Sequence, residues 1–120
     1  MKSKTKNLLI VEDNPFIGKS LLNMANEVSE IGDIYLKNSL QQAISILTET
    51  KFEFIILDLK LPDGNGIELL KWLKTNKIET KVFVFSISTE LKKTALKYGA
   101  TAFFDKSKDA DELIEALKKG

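Results

Sequence analysis

The sequence predicts an α/β domain built on a five-stranded parallel sheet, doubly wound, with strand order 2-1-3-4-5. Three observations predict it. Apolar runs at Leu8–Val11, Phe54–Leu57 and Val82–Phe85 hold no polar residue, so each reads as a strand covered on both faces. Two weaker runs, Ile34–Leu36 and Ala102–Phe104, read as strands nearer the sheet edges. Segments of helical period fill the gaps, and strict alternation of strand and helix implies parallel strands joined by right-handed crossovers. No linker, repeat or low-complexity stretch interrupts this order. The 120 residues match one domain in length, so 1–120 reads as a single domain.

Each helix carries its own signals. Asn14-Pro15 opens the first, an N-cap residue followed by proline at a tolerated first-turn position. Ile17, Leu21, Met24 and Val28 form its apolar stripe. Ser39 caps the second helix, in which Leu40, Ala43, Ile44 and Leu47 share one face. Ile67, Leu70 and Leu73 anchor the third. Leu91, Ala95 and Tyr98 anchor the fourth, which Gly99 ends as a C-cap. Ala110, Leu113, Ile114 and Leu117 line the fifth. Asp109, Asp111 and Glu112 at its start and Lys118 and Lys119 at its end suit the helix dipole.

Composition narrows the function classes. Lys plus Arg number 18 and Asp plus Glu 17, a net charge of +1, too balanced for a domain that grips a nucleic-acid backbone. Cysteine and histidine are both absent, which removes disulfides, thiolate or imidazole metal sites, His-based triads and a phosphohistidine on this chain. No apolar run approaches the ~18 residues of a membrane span. The basic start, residues 1–6, reads as a flexible solvated tail, and the apolar run after it is too short for a signal-peptide core. A cytoplasmic protein is expected.

In a sheet of this order, ligands sit beyond the carboxyl ends of the strands, where the order reverses between strands 1 and 3. Strand 1 runs into Glu12-Asp13, strand 3 into Asp58, strand 4 into Ser86 and strand 5 into Asp105-Lys106. Singly, these are helix caps, turn residues or solvated charges. Jointly, they put three carboxylates, a hydroxyl and an ammonium on one rim. Three crowded carboxylates repel unless a cation joins them, and Mg2+ takes oxygen ligands of this kind. A bound cation makes the rim welcome a phosphoryl group, which a carboxylate can accept as an acyl phosphate. Neither GxGxxG nor GxxxxGK[ST] occurs, so dinucleotide and P-loop readings fail. The loop Asp58-Leu-Lys-Leu-Pro-Asp-Gly-Asn-Gly66 is a rigid turn that can aim the Lys60 carbonyl back at a metal.

In these residues the chain, from Leu8 to Lys118, resembles a response-regulator receiver domain of the CheY-like, flavodoxin-like topology used in two-component signalling. The pieces are Glu12-Asp13, the D-x-x-L-P-x-x-x-G run from Asp58 to Gly66, Ser86, and Gly99-Ala-Thr-Ala-Phe-Phe-Asp-Lys106. The resemblance implies that Asp58 is the phospho-acceptor. Asp13 would bind Mg2+ directly and Glu12 mainly through a coordinated water, with the Lys60 carbonyl and Asp58 as further ligands. Ser86 would bond the phosphoryl group, and Lys106 would pair with that group or with Asp58. Phe103 would be the aromatic switch residue. Such domains take their phosphoryl group from a histidine kinase or phosphotransfer protein, promote only their own phosphorylation and dephosphorylation, and act on an effector or a fused output domain. The expected output face comprises helix 4, strand 5 and helix 5, also a face for phosphorylation-dependent dimers.

Two positions depart from the family pattern. Ser107 stands where many members have proline after a cis bond, so the Lys106–Ser107 peptide is expected to be trans. Phe103 replaces the commoner tyrosine. The rival readings are a receiver-like interaction module that works without phosphorylation, an Mg2+-dependent phosphatase or phosphotransferase, and a flavin-binding module. The enzyme reading lacks a second acid just after Asp58, which Leu-Lys-Leu follows, and room for a cap. The flavin reading lacks a hydroxyl- and glycine-rich loop after strand 1. Lys92, Lys93 and Lys97 give helix 4 a basic outer face, solvated or set for an acidic partner. A stand-alone regulator and an excised amino-terminal domain both remain open.

Overall fold

The structure, a computed structural model, describes residues 6–120. Five parallel strands form the main sheet: β1 (Lys6–Val11), β2 (Ile31–Lys37), β3 (Phe54–Leu57), β4 (Lys81–Ser86) and β5 (Ala102–Asp105). Their spatial order is β2-β1-β3-β4-β5, as the alternation predicts. The helices are α1 (Pro15–Asn26), α2 (Leu40–Leu47), α3 (Ile67–Thr75), α4 (Lys92–Lys97) and α5 (Ala110–Lys119). Most of the expected tail, residues 1–5, lies outside the described residues. Lys6 corrects that expectation: it pairs with Ile31 as the first residue of β1, its ammonium 5.9 Å from the Phe54 ring centroid.

The pleat of the strands divides the core. Leu9, Val11, Ile55, Leu57, Val82 and Val84 pack on one face against residues of α2, α3 and α4. Leu8, Ile10, Phe54, Ile56, Phe83 and Phe85 pack on the other against α1 and α5. Burial of each such side chain contributes roughly 1.5–3 kcal/mol, so the central strands form a stiff frame for their carboxyl ends.

Asn14 caps α1 as expected, its Oδ1 accepting from Phe16 N at 2.9 Å and Ile17 N at 3.1 Å. The buried stripe of α1 is Gly18, Leu21 and Ala25; Ile17 and Met24 lie at its margin, and Val28 is buried beyond the helix end. Gly18 belongs to the stripe because β2 comes close: a Cβ there would lie 3.1 Å from Leu36 Cδ1. The fourth helix is shorter than its pattern implies. A 3-10 turn, Thr89–Leu91, precedes it with no side-chain cap at Ser88. Gly99 adopts φ 107°, and Ala100 N donates back to Ala95 O at 3.0 Å, which closes α4. After β3 the chain forms an antiparallel ribbon, Lys60–Leu61 against Gly64–Asn65, where the sequence indicated only a rigid turn.

Candidate functional site

Strand register assembles the site. Val11 lies opposite Leu57, so Glu12 and Asp58 emerge side by side, and Asp58 N donates to Val11 O at 3.0 Å. Ser86 lies opposite Asp105, so Lys106 emerges beside Ser86, and Lys106 N donates to Ser86 O at 3.1 Å. Pairing through β1, β3, β4 and β5 thus brings together groups up to 94 residues apart in sequence.

One cation holds two of the carboxylates. Lys106 Nζ is 2.8 Å from Glu12 Oε1 and 3.1 Å from Asp58 Oδ2. Glu12 is 3% exposed and Asp58 6%, whereas Asp13 faces solvent. The Asn14 amide donates to Glu12 Oε2 at 3.1 Å, so both Glu12 oxygens have partners. Burial, with repulsion from Asp58, nonetheless pushes the Glu12 carboxyl above its ordinary value against the pull of Lys106 and the Asn14 amide. Burial also opposes the charge on Lys106, but two carboxylates outweigh it and leave Lys106 above its ordinary value. The asymmetry has a simple cause. The ammonium faces two anions, while Glu12 faces one cation and a second anion.

Glu12, Asp13 and Asp58 each place a carboxylate oxygen within 4.8 Å of the others. Three carboxylates against one ammonium leave an excess of two negative charges, and every available donor is a hard oxygen. That donor set fits a divalent cation such as Mg2+. Lys60 follows two residues after Asp58, its amide 3.4 Å from Asp58 Oδ1. Ser86 is fully buried; its Oγ accepts from Ser88 N at 3.0 Å, which leaves its own proton to donate.

Phe103 stands apart from this rim. It pairs with Val84 and packs, half-buried, on the same sheet face as Val84. The Lys106–Ser107 peptide is trans, as expected. Ser107 donates through its amide and hydroxyl to Asp105 Oδ1 at 2.9 and 2.7 Å, and Asp109 Oδ2 accepts from Asp105 N at 2.9 Å. The Ser107 hydroxyl and amide hold the Asp105 carboxyl below its ordinary value. This local turn fixes the chain at Lys106 without a proline. Two contributors escaped the sequence reading: the Asn14 amide, known there only as a helix cap, and Asp63, whose partners lie in α2.

A family model described as the response regulator receiver domain matches residues 8–118. The chain belongs to that family. Among curated relatives, the transcriptional regulatory protein MalR of Bacillus subtilis is 37% identical over 116 residues, covering 92% of this chain and 48% of MalR. The nitrate/nitrite response regulator protein NarL of Escherichia coli is 30% identical over 115 residues, covering 92% of this chain and 52% of NarL. This receiver domain therefore spans about half the length of the curated relatives it matches. Among solved structures, the receiver domain of the Francisella response regulator 1452 superposes with a TM-score of 0.84 at 28% identity, covering 96% of this chain and 98% of that one. Among the described residues, no helix is long and apolar enough to cross a membrane.

Proposed function

We propose that this receiver domain is the phospho-accepting switch of a cytoplasmic two-component or phosphorelay pathway, with Asp58 as acceptor. One observation carries the reading: a nearly buried carboxylate at the topological switch point, beside two further carboxylates and 3.1 Å from an ammonium. The donor is a phosphohistidine on a histidine kinase or phosphotransfer protein. Asp58 Oδ bonds to phosphorus as the P–N bond breaks, and the electron pair stays on the departing imidazole nitrogen. Glu12, Asp13, Asp58 and the Lys60 carbonyl would hold Mg2+, which would offset the negative charge of acceptor and phosphoryl group. Lys106 neutralises a phosphoryl oxygen, and the free proton of Ser86 donates to another.

The output reading follows from the shared face. Ser86, Val84 and Phe103 lie on one side of the sheet, so movement of Ser86 toward the phosphoryl group opens space on the Phe103 side. Inward rotation of Phe103 buries more phenyl surface, worth up to roughly 1.5–3 kcal/mol, and reshapes the face of α4, β5 and α5. An effector protein, a fused output domain or a second phosphorylated copy reads that face. The domain binds no nucleic acid itself and acts as a regulator.

Incubation with acetyl phosphate and Mg2+ followed by intact-mass measurement tests the assignment. The wild-type protein is expected to gain one phosphoryl group and Asp58→Asn none. A phosphoryl group on Asp58→Asn would refute it.

A further inference from the structure

The ribbon after Asp58 is fastened to a helix that the phospho-acceptor reading does not use. An α-helix leaves its first amides without intrahelical partners. In α2 three of these are satisfied by side chains. Leu40 N donates to Asp63 Oδ1 at 2.8 Å, Gln41 N to Asp63 Oδ2 at 2.9 Å, and Gln42 N to Ser39 Oγ at 3.1 Å. Ser39 is the local cap. Asp63 comes from the turn of the ribbon, 23 residues beyond Leu40. Both its oxygens make charge-assisted bonds, and the Gln41 and Leu40 amides hold its carboxyl below the ordinary value.

The rest of the ribbon has little freedom. Lys60 pairs with Asn65 and Leu61 with Gly64, and Gly66 N donates to Leu59 O at 2.7 Å. A Cβ on Gly64 would lie 2.8 Å from Leu40 Cδ1, and one on Gly66 would lie 2.6 Å from the Asp58 carbonyl oxygen. The ribbon is therefore in contact with α2 on one side and with the backbone of Asp58 on the other. Lys60 sits within it, two residues from Asp58.

We infer that Asp63 is a positioning residue: by clamping the ribbon to the first turn of α2, it fixes the Lys60 backbone beside Asp58 and so sets the site's affinity for Mg2+. The inference rests on the phospho-acceptor reading for the role of Lys60.

Three variants test it: Asp63→Ala, the milder Asp63→Asn, and Ser39→Ala, which weakens the same helix end without touching the ribbon. Amide hydrogen exchange on the metal-free protein should speed up at Gly66 and through the ribbon in both Asp63 variants. In Ser39→Ala the faster exchange should stay within α2. Calorimetric titration with Mg2+ should show Kd raised on the order of tenfold in Asp63→Ala, the scale seen when groups supporting metal ligands are removed. Asp63→Asn, which keeps one acceptor oxygen, should rise less, and Ser39→Ala should match the wild type. Acetyl phosphate reactivity of Asp63→Ala should recover at saturating Mg2+. An unchanged Kd in Asp63→Ala overturns the inference, as does an equal rise in Ser39→Ala, which would assign the effect to the stability of α2. If the wild type binds Mg2+ but gains no phosphoryl group, the phospho-acceptor reading fails, while exchange and titration still decide the clamp. A wild type that binds no Mg2+ overturns both.

Discussion

Replacing Lys106 with methionine retains most of the side chain's length and removes its charge. Glu12 and Asp58, with side chains only 2% and 7% exposed, are then left facing each other. At an effective dielectric constant of about 20, the 2.8 and 3.1 Å contacts supply about 6 and 5 kcal/mol of attraction, while carboxylate oxygens no more than 4.8 Å apart repel by at least about 3.5 kcal/mol. In the wild type that attraction mostly offsets the removal of charges from water. The variant keeps the desolvation and the repulsion and loses the attraction. Protonation of Glu12 limits the damage. Holding it neutral costs about 1.4 kcal/mol per pH unit above its ordinary value of 4.5, so the ceiling is about 4 kcal/mol at pH 7.5 and about 1.4 kcal/mol at pH 5.5.

The sign follows from linkage. Glu12 is already raised in the folded protein, so it binds more protons there than in the unfolded chain, and its contribution to stability falls as pH rises from 4.5 through the folded value. Losing Lys106 strips away two influences that lower Glu12 and extends that window upward. Lys106 itself is raised, so its stabilisation is fully present below 10.5 and constant between pH 5.5 and 7.5. The difference between those two pH values therefore belongs to Glu12. Urea denaturation in EDTA should show Lys106→Met destabilised by about 3 kcal/mol at pH 7.5 and by less than about 1.5 kcal/mol at pH 5.5. A deficit equal at both pH values, or below about 0.5 kcal/mol at pH 7.5, would refute the shared-cation account.

Two further predictions concern the loop and the switch. Gly66→Ala sets a Cβ 2.6 Å from the Asp58 carbonyl oxygen and 3.1 Å from Leu59 Cα, both backbone atoms, so urea denaturation should show a loss of about 1–3 kcal/mol or more, with slower phosphorylation by acetyl phosphate. On addition of beryllofluoride and Mg2+, amide chemical shifts should change from Thr89 to Lys106 as well as around Glu12, Asp13 and Asp58; changes confined to the latter three and their loops would sink the route through Ser86 and Phe103.

The frame was legible where apolar runs left no choice of secondary structure. Leu8–Val11 and Phe54–Leu57 have no polar residue to orient outward, so burial on both faces, and with it the parallel sheet, followed from sequence. The edge strands were legible only in part. β2 extends from Ile31 to Lys37, and Gly32, Asp33 and Lys37 on either side of the Ile34–Leu36 run concealed its ends. The fourth helix was overextended because Leu91, Ala95 and Tyr98 keep helical spacing across a segment whose first turn is 3-10. At the site, the family resemblance implied the contact of Lys106 with Asp58 but not that Glu12 shares the same ammonium. Glu12 and Asp13 are adjacent acids, and only the path of the backbone leaving β1 decides that Glu12 turns inward to Lys106 while Asp13 faces solvent. The Asp63 clamp had no local signal, because an aspartate between proline and glycine reads as a turn residue whatever lies 23 residues earlier.

The shared cation also bears on how a phosphoryl group would alter the site. Lys106 divides its ammonium between Glu12 at 2.8 Å and Asp58 at 3.1 Å, and that contact pulls the Glu12 carboxyl down against the larger upward push of burial. A phosphoryl group on Asp58 brings about two negative charges to the place where the carboxylate brought one. The ammonium would then be drawn toward the new oxygens, and Glu12 would either take up a proton or turn to a cation held by Asp13. Either response would move charge at the end of β1, and on the proposed function Ser86 would respond at the end of β4. Modification of Asp58 would thus act on both neighbours of β3 at once, because register places Val11 and Val84 on either side of Leu57.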